Sequence, residues 1–247
     1  MKTNKLPFVS VVIPAYNEEK FIQEVIKALK NQDYPKDRYE IIVVDNGSTD
    51  RTSETAQKAG ARVVFEPNKG VQNARQAGFE AAKGEFIAST DSDDNPPPDW
   101  LSKMSKKLSS DPSLAAFGGW FNHKKGPRFT KFVMNNLSGP FIALYQKVSF
   151  KPFLVGQNFI IRKSAFVKTD GFKNIPAYCE DMNLARRLAK VGKVEFDTSK
   201  EWQVTASPRR WSKGFIRGLR DYALNGLTWA IFGKVIVKDL ETIRDQK

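Results

Sequence analysis

Four short runs of β-branched and aliphatic residues alternate with segments of helical periodicity along the first ninety positions, and this alternation leaves few folds open. Phe8–Ile13 (FVSVVI) and Glu40–Asp45 (EIIVVD) read as buried parallel strands, and Ala61–Phe65 (ARVVF) and Glu85–Thr90 (EFIAST) as a third and a fourth strand. Pro14 and Asn46-Gly47 read as stops for the first two. Between the first and second strands, Phe21, Ile22, Val25, Ile26 and Leu29 recur at helical spacing. Ser48, Thr49 and Asp50 can cap a helix starting near Arg51, and Asn73–Ala82 is a helix of small residues closed by Gly84. The order β-α-β-α-β-α-β predicts an α/β fold, Rossmann-like, with a mostly parallel central sheet and helices on both faces. Ligands of such open sheets bind outside the carboxyl ends of the strands. Asp45 and Asp91 sit at two such ends and so fall on one edge, near one crevice. No Gly-x-Gly-x-x-Gly follows the first strand, which argues against a dinucleotide site of the usual kind.

Beyond residue 100 the pattern loosens. Trp100–Ser109 and Asp181–Lys190 read as helices, and Leu114–Trp120, Gly156–Ile161 and Lys193–Phe196 as strands. Trp211–Phe232 reads as a long amphipathic helix. No linker divides the chain, so residues 1–247 are expected to form one domain in two functional halves. The lone cysteine, Cys179, rules out an internal disulfide and fits a reducing compartment. No stretch reaches the roughly 18 apolar residues of a membrane span. A cytoplasmic chain is expected.

The net charge of +13 is concentrated. Residues 101–170 carry 12 Lys/Arg against 2 Asp/Glu, which is ten of those thirteen charges. Lys124, Lys125, Arg128, Lys131 and Lys147 are interleaved there with Phe129, Phe132, Phe141, Tyr145 and Phe150. Together with the last helix they suggest peripheral contact with an anionic leaflet, on the cytoplasmic face of a membrane. The opposing reading packs these residues internally. His123, the only histidine, reads as an exposed loop residue rather than a metal ligand.

Against this basic background, Thr90-Asp91-Ser92-Asp93-Asp94-Asn95-Pro96-Pro97-Pro98-Asp99-Trp100 places three carboxylates in four positions. Carboxylates at i and i+2 on a loop leaving a strand can converge on one hard cation. Mg²⁺ or Mn²⁺ held by Asp91 and Asp93 would keep substrate phosphates and water in the rest of its shell. Alone, Asp-x-Asp is as often a solvated turn. A nucleotidyltransferase also combines this fold with paired carboxylates, but it carries a Gly-rich basic loop after strand one, where this chain has Pro14-Ala15-Tyr16-Asn17-Glu18. A basic nucleic-acid- or membrane-binding module without transferase activity is the non-enzymatic alternative. Nucleic acid is not expected as a partner, because no reading motif is present and the acidic cluster would repel phosphate.

Val11–Glu18 (VVIPAYNE), Val43–Asp50 (VVDNGSTD), Asn73-Ala74-Arg75, Asp91-Ser92-Asp93, Gly156-Gln157-Asn158, Gly171-Phe172 and Glu180-Asp181-x-x-Leu184-x-x-Arg187-Leu188 occur in an order and spacing that resembles family 2 glycosyltransferases. The resemblance covers roughly residues 7–200. It implies a GT-A fold, a nucleotide-diphosphate sugar donor, a divalent metal and inversion at the anomeric carbon. Residues 7–100 would be the nucleotide-sugar-binding half, 101–200 a smaller acceptor-binding half and 201–247 a basic amphipathic helical segment. By the same resemblance Pro14, Tyr16 and Glu18 surround the nucleoside and Asp45 meets the base, with a lean toward uridine because a carboxylate accepts the pyrimidine N3–H. Arg75 faces the diphosphate or donor sugar. Asp91 and Asp93 flank the metal, with Asp93 the direct ligand. Asp181 is the general base, supported by Glu180, and the acceptor is a sugar or a lipid-linked molecule. Ser207-Pro208-Arg209-Arg210-Trp211 is similar to the family's Gln-x-x-Arg-Trp motif at Arg210 and Trp211, where pyrophosphate or acceptor would bind, but has Ser in place of Gln.

Overall fold

Strand β1 (Val9–Ala15) is completely buried and lies inside the sheet, with a strand on either side. The computed structural model describes residues 6–149, 151–175 and 179–211. Within them, β1 is followed by α1 (Ile22–Lys30), β2 (Tyr39–Asp45), α2 (Thr52–Lys58), β3 (Arg62–Phe65), α3 (Val71–Ala81), β4 (Phe86–Ser89) and α4 (Trp100–Ser110). Then come β5 (Leu114–Gly119), β6 (Phe121–Asn122), α5 (Arg128–Asn136), α6 (Ser138–Ser149), β7 (Phe159–Arg162), α7 (Lys163–Phe166), α8 (Glu180–Leu188), β8 (Lys193–Asp197) and β9 (Val204–Thr205). Seven strands form one sheet in the order β3-β2-β1-β4-β7-β5-β8. Among the described strands of this sheet, only β7 runs antiparallel to its neighbours. The strands from the first ninety residues thus lie on one side of the sheet and those from the later residues on the other. A small second sheet pairs β6 with β9.

Alternation along β1 divides the core. Val9, Val11 and Ile13 pack with Ile22, Val25, Ile26 and Leu29 of α1 and Leu101, Met104 and Leu108 of α4. Val12, on the other face, joins Ile42 and Val44 in packing against Ala74 and Phe79 of α3 and Leu184 and Leu188 of α8. This is the period-two signature of a strand covered on both faces.

Gly78 lets α3 lie flush on the sheet. A Cβ there would fall 2.4 Å from Val12 Cγ1 and 2.7 Å from Val44 Cγ2. Gly78→Ala should gain about 1 kcal/mol of helix propensity but lose ~1–3 kcal/mol to overpacking. A net destabilisation is expected, read as a lower urea midpoint with an unchanged slope.

Two sequence expectations need correction. Pro14 does not end the first strand: it pairs with Val44, and Ala15 pairs with Asp45. The Ala15 carbonyl accepts from Asn46 N–H and the Val12 carbonyl from Thr90 N–H, so odd residues face β2 and even ones face β4. Pro14 therefore turns its missing donor toward the side where β4 has already ended at Val12↔Ser89. The strand expected from Gly156 begins only at Phe159, because residues 156–158 turn to build the site described below. The expected helix over Trp211–Phe232 lies outside the described residues, apart from Trp211 at the end of a 3₁₀ turn (Pro208–Trp211).

Candidate active site

The carboxyl ends of β2, β1 and β4 are neighbours, so their loops meet on one edge. Asn17, at φ 54°, turns the β1 loop back on itself. Its N–H donates to Ser48 Oγ (3.0 Å) and its side-chain oxygen accepts from Thr49 N–H (2.8 Å). Glu18 N–H donates to Thr52 Oγ1 at 2.7 Å. The β1 and β2 loops are thereby stitched together. Asp45 is buried, with one carboxylate oxygen accepting from Ser48 N–H (2.9 Å) and the other from the Ser53 hydroxyl. Asn46 continues the frame: its amide donates to the carbonyls of Glu66 (2.9 Å) and Asn68 (2.7 Å), and its oxygen accepts from Gly70 N–H (2.7 Å). That contact orients the start of α3, which carries Arg75. Tyr16 stands at the rim, with the Lys69 ammonium 3.1 Å from its hydroxyl.

The acidic loop alternates in direction. Asp91 and Asp93 remain partly accessible, while Ser92 and Asp94 are buried. Asp94 accepts from Ser207 N–H at 3.3 Å through one oxygen, and its other oxygen has no hydrogen-bond partner. Burial, then Asp91 and Asp93, hold its carboxyl well above the usual carboxylate range. The i, i+2 pair of the sequence therefore shares one side of the loop, and Asp94 does not join it.

Arg75 joins what the sequence kept as two separate acidic sites. It is 2 % exposed, and its guanidinium donates to Asp91 (2.9 Å) and to Glu180. A Cβ on Gly156 would lie 2.3 Å from that guanidinium, so only glycine fits beneath it. Gly156 N–H in turn donates to Asp181 at 2.8 Å, and Met182 N–H donates to the other Asp181 oxygen at 2.8 Å. Glu180 and Asp181 open α8, directly after Cys179 at φ 58°. Three carboxylates thus surround one buried cation. Burial, then Asp181, push Glu180 up to about 7 against the opposing pull of Arg75. Burial raises Asp181 as well, against Arg75 and its two amide donors. Burial and these same two acids raise the Cys179 thiol far above a reactive range, so it is no nucleophile.

Arg209 is the site residue that the sequence reading passed over. It donates to both Glu18 oxygens (3.0 and 2.8 Å) and to Asp93 (2.8 Å), and lies 4.0 Å from the centre of the Phe21 ring. The signal was present in Ser207-Pro208-Arg209-Arg210-Trp211, where the motif match favoured the neighbouring arginine. The side chains of Arg210 and Trp211 lie outside the described residues. His123 is corrected from exposed to buried. The Asn135 side chain holds its backbone from both sides (2.8 and 3.0 Å), and its ring Nδ1 lies 3.1 Å from the Ala206 carbonyl.

Among the described residues, no three His, Cys, Asp or Glu side chains converge as a ready metal cage. Two hard carboxylates on one side of a loop, Asp91 and Asp93, remain. That donor set fits a Mg²⁺- or Mn²⁺-like ion that draws the rest of its shell from phosphate and water. It does not fit a self-sufficient structural site.

Residues 10–169 match the family model described as Glycosyl transferase family 2. The chain belongs to that family. It is 32% identical over 235 residues to the probable glycosyltransferase YdaM of Bacillus subtilis, covering 85% of this chain and 56% of YdaM. It is 40% identical over 107 residues to the glycosyltransferase AglE of Haloferax volcanii, covering 41% of this chain and 35% of AglE. The chain thus spans about a third to a half of the length of these curated relatives. Among solved structures, the mannosyltransferase PcManGT of Pyrobaculum calidifontis, in complex with GDP-Man and Mn²⁺, superposes with a TM-score of 0.68 at 24% identity, over 92% of this chain and 64% of that one. Glucosyl-3-phosphoglycerate synthase of Mycobacterium tuberculosis, in complex with Mn²⁺, UDP and glucosyl-3-phosphoglycerate, superposes with a TM-score of 0.63 at 23% identity, over 91% of this chain and 80% of that one. At that identity they show the fold, which is GT-A.

Proposed function

We propose that this chain transfers a sugar from a nucleotide-diphosphate donor to an acceptor hydroxyl, with inversion at the anomeric carbon and Asp181 as general base. The observation that carries the reading is the Arg75 bridge. It ties Asp91 of the acidic loop to Glu180, beside Asp181, at the carboxyl edge of the sheet. A donor diphosphate at the first acid and an acceptor at the second would then lie within one side chain's length of each other. Family membership weighs against the nucleotidyltransferase and nucleic-acid alternatives.

In this reading Pro14, Tyr16, Glu18 and the Asp45 loop hold the nucleoside, and a uridine donor is favoured through Asp45. Asp91 and Asp93 hold Mg²⁺ or Mn²⁺, which when bound neutralises charge on the leaving diphosphate. Arg75, enclosed by acids, acts as a fixed cation that positions Asp91 and Glu180. Asp181 is kept in place by Gly156 N–H and Met182 N–H. It takes the acceptor hydroxyl proton as the new bond forms opposite the departing nucleotide. Its raised affinity for a proton improves it as a base near neutral pH. The acceptor is a sugar or lipid-linked molecule, and the chain works at the periphery of an anionic membrane, on its cytoplasmic face. Among the described residues no helix is long and apolar enough to cross a membrane.

Thermal stability against UDP, GDP, TDP and CDP, each with and without Mn²⁺, tests the donor site. A ligand at a hundredfold excess over its dissociation constant stabilises the fold by about 2.7 kcal/mol, on the order of 5–10 °C for a chain of this size. A shift is expected with one diphosphate, UDP first, requiring Mn²⁺ and lost in Asp93→Asn. No shift with any nucleotide would sink the reading.

A further inference from the structure

Helix α6 turns an apolar stripe outward. Leu137, Phe141, Leu144 and Val148 follow one another at spacings of four, three and four, so they share one face, and they are 52–71 % exposed. The same helix is already packed on its other side. Gly139 is buried, with space for a Cβ only 3.5 Å from Trp120 and 3.6 Å from Thr198, and Ser138 Oγ accepts from Trp120 Nε1 at 3.1 Å. Tyr145 meets Phe153 edge-on at 6.5 Å. The stripe is therefore a second apolar face on a helix whose core-facing side is satisfied. On α5, Phe129 and Phe132 are exposed as well. A contiguous exposed apolar surface of this kind marks an interaction site.

Charge decides between its possible occupants. From Asp111 to Asp170 the chain contains no intervening Asp or Glu, but nine Lys/Arg. Lys124, Lys125, Arg128, Lys131 and Lys147 on and around the hairpin are all exposed or partly so. A second copy seated on the same face would set cations against cations with no local carboxylate to offset them. An anionic bilayer offers what both features require, an apolar interior for the stripe and negative headgroups for the flanking cations.

We propose that the outward face of the α5–α6 hairpin, centred on Phe141 and Leu144, docks on an anionic lipid surface. The proposal deepens the peripheral-membrane part of the proposed function and rests on it only there. The hairpin also connects to the site. Asn135 of α5 grips His123 after β6, β6 pairs with β9, and the segment after β9 reaches Asp94 through Ser207 and Asp93 through Arg209. Docking by this face would bring a lipid-linked acceptor to the acceptor half.

The test is co-sedimentation of the full chain with phosphatidylcholine vesicles and with vesicles containing a third phosphatidylglycerol, at 50 and 500 mM salt. Binding is expected only to the anionic vesicles, weaker at high salt. Phe141→Ser/Leu144→Ser should lower vesicle affinity at least tenfold while keeping the wild-type melting temperature and nucleotide-induced shift. Lys131→Glu/Lys147→Glu should flatten the salt dependence. Wild-type protein left in the supernatant at low salt would overturn the proposal, as would equal binding by the serine variant. A dimer in sedimentation equilibrium that the serine variant dissociates would also overturn it, assigning the face to a second copy. The nucleotide shift is read without vesicles, so failure of docking and failure of the transferase reading are separate results.

Discussion

Arg75→Met is expected to lower stability by ~3–5 kcal/mol, the range for removing one partner of a buried ion pair, or on the order of 10 °C in Tm. Among the described residues the guanidinium is the cation paired with both Glu180 and Asp91, and Glu180 is 8 % exposed. Methionine fills similar space but leaves the acids facing one another with Asp181 close by. The penalty should depend on pH, with a definite sign. The proton affinity of folded Glu180 is raised above the ordinary carboxylate value, to about 7. Its contribution to stability is fully present below the unfolded value and is lost as pH rises through the folded one. Without Arg75 the folded value moves higher still, because the largest interaction that favours the charged form is gone. The gap between wild type and variant in urea midpoint should therefore be widest near pH 8 and shrink toward pH 5. Adding Glu180→Gln to Arg75→Met should restore part of the loss at pH 8, and a double-mutant cycle would isolate the pair. An equal gap at both pH values would show that packing, not charge, carries the effect.

The sheet was legible because its signals were local. Val9–Ile13 and Ile41–Val44 are buried on both faces, and runs that apolar have few alternatives to a parallel strand between helices. Placement of Asp45 and Asp91 on one edge followed from chain direction alone. Pro14 was misread because its compatibility with a strand depends on which neighbour its nitrogen faces, and that is a property of the assembled sheet. The helical hairpin over residues 128–149 was not foreseen as helices. Its aromatic and basic residues were singled out, but α6 places apolar residues both inward and outward, which blurs the one-faced pattern by which a surface helix is recognised.

In the candidate site, motif residues were easier to find than the work each one does. Asn158 of Gly156-Gln157-Asn158 is a structural tie: its amide donates to the carbonyls of Trp120 and Trp202, both at 2.7 Å, and its oxygen accepts from Trp100 Nε1 at 2.9 Å. Gly156 serves by what it lacks, because Arg75 occupies the space of its side chain. Arg75 itself reads as a cation facing the donor diphosphate or sugar, yet it spends both terminal nitrogens on acids 16 and 105 residues away in sequence. Such long-range pairing leaves no mark in a local pattern. The same holds for Arg209, which reaches Glu18 across 191 positions.

Asp181→Asn is expected to lower kcat by roughly 10²–10⁴-fold, the range for losing a positioned general base, with little change in KM for the donor. The substitution keeps size and removes the ability to accept a proton. It also places an amide NH₂ where the carboxylate now receives Gly156 N–H and Met182 N–H, so some local readjustment is expected. The Mn²⁺-dependent nucleotide shift separates that from chemistry, because the proposed donor site at Asp91 and Asp93 lies on the other side of Arg75 and should keep it. The pH profile carries a second sign. A base must be ionised to act, and burial lifts the proton affinity of Asp181 above the ordinary carboxylate range. Wild-type kcat/KM should therefore rise with pH through a limb above that range, and the residual rate of Asp181→Asn should lack it. An acceptor that attacks as a phosphate, already ionised, would need no base. A variant that keeps wild-type kcat would therefore remove Asp181 from the proton transfer and point to such an acceptor. A variant that loses kcat, nucleotide shift and Tm together would assign Asp181 to the architecture of the Arg75 cluster instead.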